Sequence, residues 1–229
     1  MPNNRQSNKS VATAKPDNAL RVTEIFYSLQ GESSSIGIPT VFVRLTGCPL
    51  RCQYCDTAYA FTGGEWMSID EVVSRVRQHP ARWVTVTGGE PLAQKNCLPL
   101  LERLCNAGYH VSLETSGALP VNDVDRRVIK VMDLKTPGSG EADRNLWENL
   151  QYLLPHDQVK LVICDEQDYR WGKKIIDQYR LTERCEVLMS PSYGQMNATQ
   201  LAEWILRDGL EVRFQIQLHK ILWGDQPGK

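Results

Sequence analysis

Three of the chain's seven cysteines fall in one short stretch, Cys48-Pro49-Leu50-Arg51-Cys52-Gln53-Tyr54-Cys55-Asp56-Thr57, with the spacing C-x3-C-x2-C. Thiolates this close on a loop converge on one point, which suits a soft metal centre. A structural zinc site is closed by four ligands, and a dithiol redox motif needs only C-x2-C. Three thiolates on a four-iron cluster leave one iron open to another molecule. A zinc loop, a disulfide pair and chance clustering remain as the plainer readings of the cysteines alone.

The chain of 229 residues is long enough for one sizeable core and carries a net charge of −1 with a pI near 6.4. No basic run appears, so nucleic acid is not an expected partner. No apolar run reaches the length of a membrane span, so no membrane is expected. Residues 1–18 are polar and lack the apolar core of a targeting peptide; they are expected to be a disordered N-terminal tail. A single domain is then expected over 19–229. These features point to the cytoplasm, where thiols stay reduced. Cys97, Cys105, Cys164 and Cys185 are scattered on apolar patterns and read as buried free thiols.

Alternating residues in Leu20 to Ser28 predict a strand, followed by Leu29-Gln30-Gly31-Glu32. A second strand, Pro39 to Thr46, feeds the cysteine loop. Ser68-Ile69-Asp70-Glu71 is a capping box that opens a helix. Further strands are predicted at Arg82–Thr87, Tyr109–Thr115, Val128–Leu134, Gln158–Cys164, Glu186–Met189 and Glu211–Leu218. Helices are predicted through Leu98–Leu104, Leu146–Leu153, Trp171–Tyr179 and Leu201–Ile205. Strands alternating with helices argue for an α/β fold with mostly parallel strands. Glycines, prolines and cysteines cluster after strand ends, where barrel-type α/β proteins place their sites. Arg44, Thr85, Thr87, Ser112, Glu114, Arg213, Gln215, Gln217 and His219 put polar groups on one strand face. A polar lumen suits a polar ligand; an open sheet with one wet face is the alternative.

Gly88-Gly89-Glu90-Pro91 after a strand is a second mark. Two glycines let backbone approach a ligand closely, and backbone carbonyls with Glu90 offer acceptors for an ammonium. Together with Leu29-Gln30-Gly31-Glu32, Arg44, Cys55-Asp56-Thr57, Glu114-Thr115-Ser116-Gly117 and Gln217-Leu218-His219-Lys220, these words resemble the 7-carboxy-7-deazaguanine synthases of the radical S-adenosylmethionine (SAM) superfamily. The resemblance covers about residues 20 to 225.

The resemblance implies a partial (open) TIM-like barrel of the radical SAM type. It implies ring contraction of 6-carboxy-5,6,7,8-tetrahydropterin to 7-carboxy-7-deazaguanine with loss of ammonia, toward queuosine and other 7-deazapurines. The implied cofactors are a [4Fe-4S] cluster, SAM and Mg²⁺, and the implied state is a homodimer served by an electron donor such as flavodoxin or ferredoxin. Carried over by position, Cys48, Cys52 and Cys55 hold the cluster and Thr57 ligates Mg²⁺. Tyr54, Cys55, Asp56, Gly89, Asp133, Leu134, Lys135, Ser190, Pro191, Ser192 and Tyr193 surround SAM. Leu29, Gln30, Gly31, Arg44 and Thr87 contact the pterin. Two matches are loose: Asp133-Leu134-Lys135 stands where many members have Ser-Pro-Lys, and Ser190-Pro191 where many have Gln-Pro. The segment Trp223 to Lys229 is longer than in short members that use their terminal residue on substrate, so that contact is not carried over. A glycyl-radical enzyme activase shares the cysteine and glycine motifs, and a non-catalytic iron–sulfur electron carrier is a reading of a different class.

Overall fold

The alternation of Ala19–Leu29 yields β1, the longest strand, and Pro39–Leu45 yields β2, which pairs with it antiparallel. A computed structural model describes residues 18–224, 226, 228 and 229 of the chain. Nearly all of the expected N-terminal tail lies outside the described residues. β3 (Glu65–Ser68) is a four-residue edge strand, antiparallel to β1, that sequence patterning does not announce because Gly63-Gly64 precede it.

β4 (Trp83–Gly88), β5 (His110–Thr115), β6 (Ile129–Asp133), β7 (Gln158–Ile163), β8 (Glu186–Pro191) and β9 (Arg213–Phe214) continue from β2 in parallel register. The nine strands of the described residues form one sheet in the order β3-β1-β2-β4-β5-β6-β7-β8-β9. β3 and β9 are its free edges, so the sheet is open and not closed into a barrel, as the partial-barrel expectation requires.

Helix ends follow local chemistry. α1 (Ile69–Val76) starts at the expected capping box: Glu71 N donates to Ser68 Oγ at 3.2 Å, and Ser68 N donates to Glu71 Oε2 at 2.6 Å. α2 (Cys97–Asn106) buries Leu100, Leu101 and Leu104. α3 (Glu166–Tyr179) is capped by Asp165, and α4 (Ala198–Asp208) by Asn197, which accepts from Gln200 N at 3.0 Å. Gly209 ends α4 with φ +60°, a conformation that favours glycine.

The core has two parts. α1 and α2 cover β1, β2, β4 and β5 through residues such as Val43, Val86, Leu101 and Leu113. α3 and α4 cover β6 to β8 through Leu134, Leu161, Ile163 and Leu201. Each such fully buried side chain contributes roughly 1.5–3 kcal/mol.

Three expectations are corrected. Leu146–Leu153 does not form an α-helix; Trp147–Tyr152 is a 3-10 helix. Pro155 limits the segment's length, and buried Asn149 ties it sideways, accepting from Val121 N at 3.1 Å and donating to Gly117 O at 3.0 Å. The strand expected over Glu211–Leu218 shrinks to Arg213–Phe214, and Leu218–Trp223 is a helix, α5. Gln215 N still donates to Met189 O of β8 at 3.0 Å, while its side chain binds the Ser33 backbone twice, accepting from its N at 2.8 Å and donating to its O at 2.9 Å. Cys97 and Cys185 are buried as expected, whereas Cys105 and Cys164 are only half-buried.

Candidate active site

The C-terminal ends of the parallel strands open into a cavity of about 350 Å³. β2 delivers the cysteine loop to it, β4 delivers Gly88-Gly89, β5 Thr115-Ser116, β6 Asp133 and Lys135, and β8 Ser190-Pro191-Ser192. Cys48, Cys52 and Cys55 are free thiols and all line it. Burial pushes the Cys48 and Cys52 thiols above their ordinary range. Cys48 Sγ accepts from Leu50 N at 3.4 Å, and Cys55 Sγ lies 3.8 Å from Thr57 Oγ1. Among the described residues, no three His, Cys, Asp or Glu side chains stand ready-made as a metal-ligand group.

Gly89 sits where nothing larger fits. A Cβ there would lie 2.3 Å from Gly47 O and 2.7 Å from Cys48 Cβ. Glu90 departs from its expected use. It is fully buried and does not line the cavity. It accepts from Ser116 N at 2.7 Å, Ser116 Oγ at 2.5 Å, Thr115 Oγ1 at 3.0 Å and Leu92 N at 2.9 Å. Those protein donors consume its lone pairs, so Glu90 is a strut between the β4 and β5 loops and not an acceptor for a ligand's ammonium.

Of the residues singled out from sequence, Tyr54, Asp56, Asp133, Lys135, Ser190, Pro191, Ser192 and Tyr193 line the cavity with the cysteines, and so do Leu29, Gln30, Arg44, Thr57 and Thr87. Leu134 does not; its side chain is buried in the core between β6 and the helices. Gly31 is buried beside the wall, where a Cβ would meet the His219 ring at 2.2 Å. Four buried polar atoms find no partner among the described residues: Ser28 Oγ, Tyr54 OH, Asp133 Oδ1 and Ser190 Oγ. The last three belong to cavity residues, and buried polar atoms without partners mark a place for a polar ligand.

A charged network crosses the lumen. Lys160 Nζ meets Glu32 Oε2 at 2.6 Å and Asp133 Oδ2 at 3.7 Å, and Lys135 Nζ meets Asp133 Oδ2 at 3.0 Å. Gln217 Nε2 donates to Glu32 Oε1 at 2.8 Å. Burial alone would raise the Glu32 pKa, but the Lys160 ammonium and these donors hold it down at about 2. Burial also opposes the Lys160 charge, yet Glu32 and Asp133 raise its pKa above the ordinary lysine range. Glu114 accepts from Gln30 Nε2 at 3.2 Å and Thr87 Oγ1 at 2.8 Å, and burial, with Glu32 nearby, raises its pKa. Arg44 Nε bonds Glu24 Oε1 at 2.7 Å, while its terminal nitrogens bond none of the described residues. Its guanidinium lies 5.7 Å from the Phe26 ring centre, and Phe26 stacks on Phe42 at 4.9 Å.

Glu114, Gln217 and His219, expected only as part of a polar strand face, line the cavity, and so do Glu32, Lys160 and Lys229, which the sequence reading does not place there. A signal for Lys160 existed: a lysine in the middle of the apolar strand Gln158–Ile163. His219, expected on the polar face of the last strand, reaches the lumen from α5 instead, and Lys220 of the same helix lines it too.

The sequence pattern of the Radical SAM superfamily matches residues 42–134. A protein named 7-carboxy-7-deazaguanine synthase from Chlorobaculum tepidum is 46% identical over 207 residues, covering 89% of this chain and 94% of that protein. One of the same name from Koribacter versatilis is 43% identical over 219 residues, covering 89% and 97%. The crystal structure of QueE from Escherichia coli superposes with a TM-score of 0.72 at 22% identity, covering 88% of this chain and 95% of that one.

Proposed function

The chain belongs to the 7-carboxy-7-deazaguanine synthase family, and from that membership we propose that it is a carbon–nitrogen lyase of the radical SAM type. It converts 6-carboxy-5,6,7,8-tetrahydropterin to 7-carboxy-7-deazaguanine and ammonia, a step toward queuosine and other 7-deazapurines. One observation carries this reading. Three free thiols, a glycine whose Cβ would strike their loop and three unpartnered buried polar atoms belong to one cavity.

The residues present fit the cofactors. Cys48, Cys52 and Cys55 supply soft donors for three irons of a [4Fe-4S] cluster. Gly89, Tyr54, Asp133, Lys135 and Ser190 to Tyr193 form the wall for SAM, with Asp133 Oδ1 and two hydroxyls as unspent polar groups. Held there, the cluster and SAM would supply the one-electron chemistry for hydrogen abstraction from the substrate ring.

The chain's own residues bind, orient and shield. The stacked Phe26 and Phe42 present a flat apolar wall suited to a planar ring. Arg44 keeps its two terminal nitrogens for the substrate carboxylate, and Glu24 sets the plane of that fork. Gln30 and Thr87, held by Glu114, place polar atoms at the ring edge. Thr57 starts a 3-10 turn without capping it; its hydroxyl lies 3.8 Å from Cys55 Sγ and offers a hard oxygen for Mg²⁺ beside substrate oxygens and water. A homodimer, a flavodoxin or ferredoxin donor and a cytoplasmic setting complete the proposal. The free cysteines support a reducing compartment, and among the described residues no helix is long and apolar enough to cross a membrane.

The test is anaerobic reconstitution with iron and sulfide. Carboxypterin, SAM, Mg²⁺ and a reductant are then added. Equimolar 7-carboxy-7-deazaguanine and ammonia are expected. A reconstituted protein that cleaves SAM but leaves the pterin unchanged would exclude this substrate.

A further inference from the structure

The middle cluster cysteine has a wall of its own. Two backbone N–H groups flank Cys52, and both point at the turn that follows β6. Arg51 N donates to Glu141 Oε1 at 2.5 Å, and Gln53 N donates to Ser139 O at 3.0 Å. Cys48, by contrast, is placed from the β4 side, where Glu90 N donates to Gly47 O at 2.8 Å. The loop is therefore gripped from two sides of the cavity.

The turn is itself locked. Pro137–Ser139 is a 3-10 turn closed by Gly140 at φ +75°. Ser139 Oγ donates to Thr136 O at 2.6 Å and accepts from Glu141 N at 3.0 Å. Buried Asp168 of α3 stands behind it. Its Oδ1 accepts from Gly138 N at 2.7 Å, and its Oδ2 accepts from Cys164 N at 3.0 Å and lies 3.1 Å from the Thr136 hydroxyl. A Cβ on Gly138 would lie 2.5 Å from Asp168 Oδ2, so the turn is pressed against this carboxylate. Asp168 thus acts through the turn on a loop in another part of the chain.

We propose that the turn 136–141 is the second clamp of the cluster loop, with Glu141 and the Ser139 carbonyl holding the backbone on both sides of Cys52 and Asp168 fixing the turn. Glu141 and Asp168 are positioning residues: neither supplies an atom to the cluster. The clamp holds the Cys52 thiolate where the other two thiolates meet the metal, and groups that orient ligands in this way change metal retention strongly. Glu141 is the residue to vary, because it lies at the surface end of the clamp and carries no part of the core.

This inference rests on the proposed cluster, and the test separates the two. Parent, Glu141→Ala and Glu141→Gln proteins, each the full chain, are reconstituted without oxygen. They are then challenged with EDTA while the visible absorbance of the cluster is followed. Melting of the iron-free proteins is measured in parallel. Glu141→Ala is expected to lose its cluster roughly tenfold faster than the parent. Glu141→Gln, which keeps the acceptor oxygen, is expected to hold its cluster as the parent does, and all three iron-free proteins to melt alike. Equal loss rates for Glu141→Ala and parent would overturn the clamp. So would a Glu141→Gln protein that loses its cluster as fast as Glu141→Ala, or a lowered melting temperature of iron-free Glu141→Ala. A parent protein that takes up no cluster would overturn the proposed function instead.

Discussion

Arg44 holds one partner, Glu24, and is proposed to hold a second. Its Nε is held by Glu24, which also accepts from Tyr59 OH at 2.8 Å, and its terminal nitrogens remain for a ligand. A structural ion pair and a substrate contact are therefore compatible in one side chain. Arg44→Ala is expected to weaken carboxypterin binding by about ten- to a hundredfold, the equivalent of roughly 1.5–3 kcal/mol for a charge-assisted hydrogen bond. Arg44→Lys recovers only part, because an ammonium cannot keep Glu24 and also present a fork. Calorimetric titration of substrate reads this directly, and an unchanged affinity in Arg44→Ala would make the ion pair its whole role. Thr57 is the second case. Its hydroxyl caps nothing, so Thr57→Val should leave the fold and the cluster intact while shifting the Mg²⁺ dependence of activity to higher concentration. The same Mg²⁺ dependence in both proteins would place the metal elsewhere.

At the scale of the elements, the loops after β2, β4, β5 and β6 are one interlocked unit. Glu90 N holds Gly47 O ahead of Cys48, and the Glu90 carboxylate holds Thr115 and Ser116 at the end of β5. Removing that carboxylate strands several buried donors at once, and each stranded donor costs about 1–3 kcal/mol. Glu90→Ala is therefore expected to lower stability by ~3 kcal/mol or more, read as a fall in denaturation midpoint of the iron-free protein. A Glu90→Ala protein as stable as its parent would show that the loops are held by other means. The clamp on Cys52 belongs to the same unit from its opposite side.

For the molecule as a whole, the charged lumen contributes to the response to acid. Glu32 has a folded pKa near 2 against an ordinary 4.5. A carboxyl depressed by folding adds stability that is fully present above the ordinary value and is lost as pH falls through 4.5 toward 2. The difference corresponds to something on the order of 3 kcal/mol. Glu114 works in the other direction: its raised pKa makes folding favour its protonated form, so its contribution fades as pH rises. Urea denaturation of the iron-free protein between pH 6 and about pH 3 should therefore show stability falling with acid. Glu32→Gln should flatten that fall, and an equally steep fall in Glu32→Gln would mean that other carboxylates govern it.

Local chemistry was legible wherever it was written in adjacent residues. The capping box of Ser68 and Glu71, the alternation of β1 and the three-cysteine loop each depend on neighbours in the chain. Sequence by itself thus determined the α/β order, the three-cysteine loop and many of the residues that line the cavity. The tertiary structure alone decided the rest, because the deciding partners are far apart in sequence. Glu90 looks like a ligand acceptor until Ser116 and Thr115 are brought onto it. Gln215 looks like one more strand residue until its side chain is found tying the distant Ser33 backbone to the sheet edge. Lys160 looks like an interruption of an apolar strand until Glu32 and Asp133 surround it. Arg51 and Glu141 stand 90 residues apart, and no pattern in either segment announces their bond. Periodicity reports which face a residue takes, but only the packed fold determines which partner meets it there.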